Sequence, residues 1–291
     1  GAHMSLTDNS LINKVMSSLA RVLFLLIFLQ TSSSVVAQPY RILLSNDDGI
    51  NSPLLHTLKE ELAALPEVEV IISAPADNQS GSSHSTDGGP LIVEHIYQNG
   101  ESLGYAVAGR PSDAVRFGLV ELGKADPFDL VVSGINRGAN VGNISHLSGT
   151  VGAAMEGLLH GVPAIAVSQD VTDVDTVASA RFTAQLVKHY RESGAPEGTL
   201  ISINIPSGEL QGVKIMPMGD SYLQTSHYEL VEQTGERSVY ERQRIVVQSL
   251  DSSTDTYAYQ QGYITLTPLK FDWTDHDITE RVESWNLQLV N

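Results

Sequence analysis

The sequence predicts an α/β fold: a doubly wound, mostly parallel sheet followed by a C-terminal β-rich extension. Three observations carry this reading. Short apolar runs alternate with stretches of helical period from Tyr40 to about Ile205. The first strand, helix and second strand have the spacing of a parallel crossover, which is right-handed in nearly all known cases. After Ile205 the alternation gives way to β-like runs separated by polar loops, more like an appended hairpin region than another crossover.

Arg41-Ile42-Leu43-Leu44-Ser45 reads as a buried first strand that stops abruptly at Asn46-Asp47-Asp48-Gly49. Ser52 and Pro53 form a helix start, and Leu54, Leu55, Leu58, Leu62 and Leu65 follow at helical spacing. Val68 to Ala74 is the second strand. A polar loop from Pro75 to Pro90 leads to two shorter β-like segments, Leu91 to Tyr97 and Tyr105 to Ala108, and then to a helix from about Ser112. Asp129 to Ser133 is the next strand. The loop Gly134 to Gly149, rich in Gly, Asn and Ser, precedes a helix from Thr150 to His160 and a strand from Ala164 to Ser168. A helix around Val177 to Tyr190 and the strand Leu200 to Ile205 close the core sheet. Beyond it lie β-rich runs at Val213 to Met216, Arg244 to Leu250 and Gly262 to Leu269.

The chain has 291 residues with 42% hydrophobic residues, enough for one large core. It has no cysteine, so disulfides, thiolate zinc sites and cysteine nucleophiles are excluded together, and any metal is held by oxygen or imidazole. A formal net charge of −17 argues against polymeric nucleic acid as a partner. An anionic substrate then needs local cationic groups or a metal. Gly1-Ala2-His3 before Met4 reads as a tag remnant. Lys14 and Arg21 precede the apolar run Val22 to Leu29, then a Ser-rich stretch and Val35-Val36-Ala37 before Gln38, which is the layout of a secretory signal peptide. That run is shorter than the ~20 apolar residues a membrane span needs. The expected organisation is 1–37 for tag remnant and signal peptide, 38–210 for the α/β core, and 211–291 for a C-terminal β-hairpin extension and final helical tail. The expected location is periplasmic or secreted, with the cytoplasm as the alternative and no stable membrane span in the mature protein.

Open parallel sheets place their sites at the carboxyl ends of strands, so the loops after strands are where chemistry is sought. Asp47 and Asp48 follow the first strand directly, where neighbouring side chains diverge and two carboxylates can approach one cation. No Lys or Arg lies between Ser45 and His56 to compensate them. The loop Asp77 to Ser85 offers hydroxyls and amides. The loop Ser133 to Asn140 adds neutral oxygen donors and one cation, Arg137, and Ser148-Gly149-Thr150 opens a helix whose free amides suit a phosphate.

Ser-Asn-Asp-Asp-Gly at 45–49, Gln-Ser-Gly at 79–81, Ser-Gly-Ile-Asn at 133–136 and Ser-Gly-Thr-Val-Gly-Ala-Ala-Met-Glu-Gly at 148–157 resemble, in order, the motifs of the SurE family of 5'(3')-nucleotidases. The resemblance runs from about Tyr40 to Thr274. It implies a Rossmann-like core and metal ligation by Asp47, Asp48, Ser80 and Asn136, with Asp47, Asn140, Ser148 and Thr150 as the catalytic and phosphate-side residues. One divalent cation per subunit is implied, Mg²⁺ or Mn²⁺, which suits an all-oxygen donor set. It also implies homodimers or homotetramers formed by exchange of the C-terminal extension. The chain departs from the family pattern at Arg137, Asn143 and Leu147. His84 and His146 read as loop histidines, with proton transfer as the alternative role, Glu156 as a solvated or capping residue, and Tyr222, Tyr228 and Tyr240 as residues of a subunit contact or of a nucleobase site.

The expected activity is hydrolysis of nucleoside 5'- or 3'-monophosphates or another small phosphomonoester by metal-activated water. A broad-specificity acid phosphatase, a periplasmic protein that binds a phosphate ligand without turnover, and a structural oligomerisation protein are the competing readings.

Overall fold

In the computed structural model, residues 38–289 are described, and the predicted tag remnant and signal peptide lie outside them. The first strand, β1 (Tyr40–Ser45), leads through helix α1 (Pro53–Ala63) to β2 (Val68–Pro75). Pro53 occupies the first turn of α1, where its missing N–H has no intrahelical partner to lose. Leu55, Leu58 and Leu62 form the buried stripe of this helix. Full burial of each such side chain contributes about 1.5–3 kcal/mol.

A hairpin, β3 (Ile92–Gln98) and β4 (Glu101–Ala108), precedes α2 (Pro111–Phe117), which runs into a π-helical turn at Gly118–Leu122. Next come β5 (Leu130–Arg137), a 3-10 turn at Gly142–Leu147, α3 (Gly149–Leu159), β6 (Ala164–Gln169), α4 (Thr176–Ser193) and β7 (Thr199–Ile205). The chain continues through β8 (Gly212–Ile215), β9 (Leu223–Thr234), β10 (Arg237–Val246), α5 (Asp255–Gln260), β11 (Tyr263–Lys270) and α6 (His276–Glu283).

The main sheet has the order β3-β4-β2-β1-β5-β6-β7-β11-β8, and β9 and β10 form a separate two-stranded ribbon. Pairing is parallel from β4 through β2, β1, β5 and β6 to β7, with β3 antiparallel to β4 at one side and β11 antiparallel to β7 at the other. Successive residues of the central strands face opposite ways. Ile42, Leu44, Leu130, Val132 and Ile165 enter one core with α1 and α4, while Leu43, Val131, Ala164 and Ala166 enter a second core with α2 and α3. A sheet covered on both faces is what makes these strands read as unbroken apolar runs.

The chain leaves β1 towards β2 and later returns to β1's other side as β5. The crevice at the carboxyl ends of β1 and β5 is therefore the topological switch point, where open α/β sheets bind ligands.

Three expectations change. The strand predicted to end at Ser133 continues to Arg137, because after a register break its residues Asn136 and Arg137 pair with Ser168 and Gln169 of β6. Asn136 is thus held by the sheet rather than by a loop. Leu200 to Ile205 does not close the sheet: Thr265↔Asn204 and Lys270↔Thr199 pair β11 against it, and β8 lies outside β11. The run Arg244 to Leu250 is strand only to Val246, within a ribbon whose first arm, Leu223–Thr234, is nearly all exposed and has no apolar alternation to announce it. No helix of the described residues is long and apolar enough to cross a membrane.

Candidate active site

Asn46, fully buried, shapes the turn after β1: its side-chain amide donates to the Gly49 carbonyl at 2.9 Å and its Oδ1 accepts the Gly49 N–H at 3.2 Å. This places Asp47 and Asp48 at the switch point. The Asp47 carboxyl is 3% exposed, and its Oδ1 accepts the Thr150 hydroxyl at 2.5 Å. Burial pushes its pKa up to about 6, the Thr150 hydroxyl and amide oppose that, and the neighbouring charge of Asp48 adds to it. Asp48 accepts the Asn78 side-chain amide at 3.2 Å and the Arg137 backbone N–H at 3.2 Å. Burial also raises its pKa, against the Arg137 N–H and charge and the Asn78 amide. Among the described residues, no Lys or Arg side chain forms an ion pair with either carboxylate.

The second loop closes over the pair. The Gln79 N–H donates to the Asp47 carbonyl at 2.7 Å, and Asn78 Oδ1 accepts the Ser80 N–H at 3.0 Å. Arg110 steadies the loop by donating to Gln79 Oε1 at 3.1 Å. Ser80 is exposed, and its hydroxyl makes no hydrogen bond among the described residues. Ser82 Oγ is buried without a partner. The start of α3 meets both loops at glycines: a Cβ on Gly149 would lie 2.6 Å from Ser82 Oγ and 2.8 Å from Asp47 Cβ, and one on Gly152 would lie 2.2 Å from the Ser83 carbonyl. Only residues without side chains permit this convergence.

Asn136, 8% exposed, donates its side-chain amide to the Gly138 carbonyl at 2.6 Å. Ser148 caps α3 by accepting the Val151 N–H at 3.2 Å. Thr150, fully buried, donates its hydroxyl hydrogen bond to Asp47. Asp47 and Thr150 thus meet directly, Asp48 is tied to Asn78 and to the Arg137 N–H, and Ser80, Asn136 and Ser148 lie on the second loop, β5 and the start of α3 that border this pair. Asn140 is set apart: its side-chain amide donates to Ser168 Oγ at 3.0 Å and Asn204 Oδ1 accepts its N–H at 2.7 Å, over β6 and β7.

Residues 42–225 match the family model described as survival protein SurE. The chain belongs to the SurE family. It is 36% identical over 256 residues to the 5'-nucleotidase SurE of Chlorobaculum tepidum, covering 86% of this chain and 96% of the relative. It is 38% identical over 258 residues to that of Rhodopirellula baltica, covering 85% of this chain and 99% of the relative. The crystal structure of the SurE protein from Aquifex aeolicus superposes with a TM-score of 0.74 at 31% identity, covering 85% of this chain and all 100% of that one.

Around the site this SurE chain carries supports that the sequence does not announce. Glu156 is not solvated: its fully buried carboxylate takes His84 Nε2 at 2.6 Å, Arg116 Nε at 2.7 Å and His160 Nε2 at 3.1 Å. Burial alone would raise its pKa, but the hydrogen bonds and charges of His84 and Arg116 hold it down to about 2. Asp255, also buried, accepts the N–H of Gly142 at 3.1 Å and of Gly219 at 2.8 Å and the Thr267 hydroxyl at 3.1 Å, tying the third loop to β11. The only advance signal of such braces is an acidic residue within an otherwise apolar or Thr-rich stretch. Tyr222 stacks on Tyr259, with ring centroids 5.7 Å apart, and Tyr228 and Tyr240 are exposed on the ribbon, so none of the three tyrosines lies in the Asp47 cluster.

Proposed function

We propose that this chain is a phosphomonoester hydrolase acting on nucleoside 5'- or 3'-monophosphates at the crevice above β1 and β5. We assign one divalent cation per subunit, Mg²⁺ or Mn²⁺, to Asp47, Asp48, Ser80 and Asn136. The single observation that carries this is a pair of adjacent carboxylates, Asp47 buried and Asp48 half-buried, that form no ion pair with a Lys or Arg side chain among the described residues and lie at the switch point beside a helix N-terminus.

The donor set fits such a cation. It has two carboxylates and two neutral oxygens, hard ligands suited to Mg²⁺ or Mn²⁺. Among the described residues no group of three or more His, Cys, Asp or Glu is arranged for a metal, so neutral oxygens have to complete this one. The unpartnered hydroxyl of Ser82 beside Asp47 marks the same place as built for a polar occupant. When bound, the cation supplies positive charge that polarises the phosphoryl group and acidifies water.

The chain's own residues do the rest. Thr150 fixes the orientation of Asp47, leaving its other oxygen to hold the cation and orient the attacking water. The hydroxyl of Ser148 and the first amide of α3 face the phosphate oxygens with the positive end of the helix behind them. Asn140 anchors the third loop through its bonds to Ser168 and Asn204. The exposed ribbon of β9 and β10, with Tyr228, Leu230 and Tyr240 at its surface, supplies the pairing surface for a dimer or tetramer.

The experiment is phosphate release from 5'- and 3'-nucleoside monophosphates and p-nitrophenyl phosphate at saturating Mn²⁺. Release from the nucleotides is expected. Nucleotide binding without release from any of the three favours the binding-protein reading instead.

A further inference from the structure

Beside the Asp47 cluster lies a hollow of about 370 Å³. One wall is Ser148 and Gly152 at the start of α3, the other Leu269 and Trp273 from the end of β11 and the segment after it. Its polar lining is sparse and its walls are mostly apolar, the chemistry of a site for a flat organic group with a few orienting contacts. Trp273 stands at the rim, 74% exposed, with the His146 ring edge-on at 5.5 Å and 89°. An indole left in water at the mouth of an apolar hollow is poorly satisfied alone and well satisfied by a planar partner. A second hollow of about 700 Å³ continues past the indole and shares His84, Met155 and Trp273 with the first. His84 is held firm there by Glu156 at 2.6 Å and by the edge-on Phe271 ring at 5.8 Å, while Met155 offers a floor that adapts to different ring shapes.

We propose that this hollow seats the nucleobase of the substrate, with Trp273 as the stacking surface that sets the preference for nucleotides over simple phosphate esters. The proposal rests on the phosphomonoesterase reading above and deepens it. Ser148 is the link: it belongs both to the α3 start, where the phosphate is placed, and to the wall of the hollow. A base is uncharged, so stacking recruits it even to a chain with a net charge of −17. The cleft of about 610 Å³ at the foot of the ribbon does not compete. It is lined by Asp220 and Asp251 and includes none of the four assigned metal ligands.

The test compares kcat/KM for adenosine 5'-monophosphate with that for glycerol phosphate, in the full chain and in Trp273→Ala and Trp273→Phe. The ratio is expected to fall about tenfold in Trp273→Ala and to recover in Trp273→Phe, the scale of one base–aromatic stack. A ratio that stays the same while both esters are hydrolysed overturns the hollow and leaves the hydrolase. Binding gives a second readout, because the chain has 2 tryptophans and Trp285→Phe leaves Trp273 as the only emitter. Adenosine, which carries no phosphate, is expected to quench that emission. Quenching in a protein that releases no phosphate supports the hollow while the hydrolase reading falls; absence of quenching overturns the hollow.

Discussion

Asp48→Ala lowers kcat/KM for nucleoside monophosphates by about 10³-fold or more at saturating Mn²⁺ while the protein still folds. The two consequences separate because Asp48 does little for the fold. Its carboxylate accepts two hydrogen bonds from neutral groups, the Asn78 amide and the Arg137 backbone N–H, each at 3.2 Å. Two such bonds at the edge of a crevice contribute about 1 kcal/mol each, and relief of burying a carboxylate offsets part of that. For the site the change removes one of only two negative charges. A metal's contribution to a phosphoryl transition state is several kcal/mol, and each ~1.4 kcal/mol is a factor of ten in rate. Melting temperature and kcat/KM measured on the same preparation check both halves. A variant with near-normal turnover removes Asp48 from the site.

Glu156→Gln destabilises the fold by about 3 kcal/mol near pH 7, because it replaces a buried charge that holds two histidines and an arginine with a neutral amide of equal size. The pH dependence has a definite sign. Glu156 has its folded pKa depressed from 4.5 to about 2, so its stabilisation is present above about pH 4.5 and is lost as pH falls through about 2. The stability gap between the native chain and Glu156→Gln therefore narrows as pH is lowered from 4.5 towards 3. Urea denaturation of both proteins at pH 7 and at points below 4.5 measures it. A constant gap across that range assigns the loss to packing rather than to the charge.

Much of this architecture was legible in the sequence. The runs at Ile42, Val131 and Ile165 are continuous because each strand is covered on both faces, and the leucines of α1 recur at helical spacing because one stripe of it is buried. The loops bearing Asp47, Ser80 and Ser148 were legible for a different reason: their Gly, Asn and Asp residues mark the ends of strands and the start of a helix. Long-range pairing was not legible. Nothing local to Tyr263–Lys270 says that it lies antiparallel to β7, or that β8 lies beyond it. Buried polar partnerships were hidden for the same reason, since Glu156 meets His84 across 72 residues and Asp255 meets Gly142 across 113. The Thr150 hydroxyl was legible as part of a phosphate-binding helix start, but its bond to Asp47 depends on how α3 docks against β1.

In the proposed function, the paired carboxylates at the end of β1 work through a divalent cation. Phosphate release from adenosine 5'-monophosphate by protein stripped with EDTA, measured before and after addition of Mg²⁺ or Mn²⁺, tests it most directly. Turnover is expected to disappear on stripping and to return with the ion. Undiminished turnover by the stripped protein would contradict it.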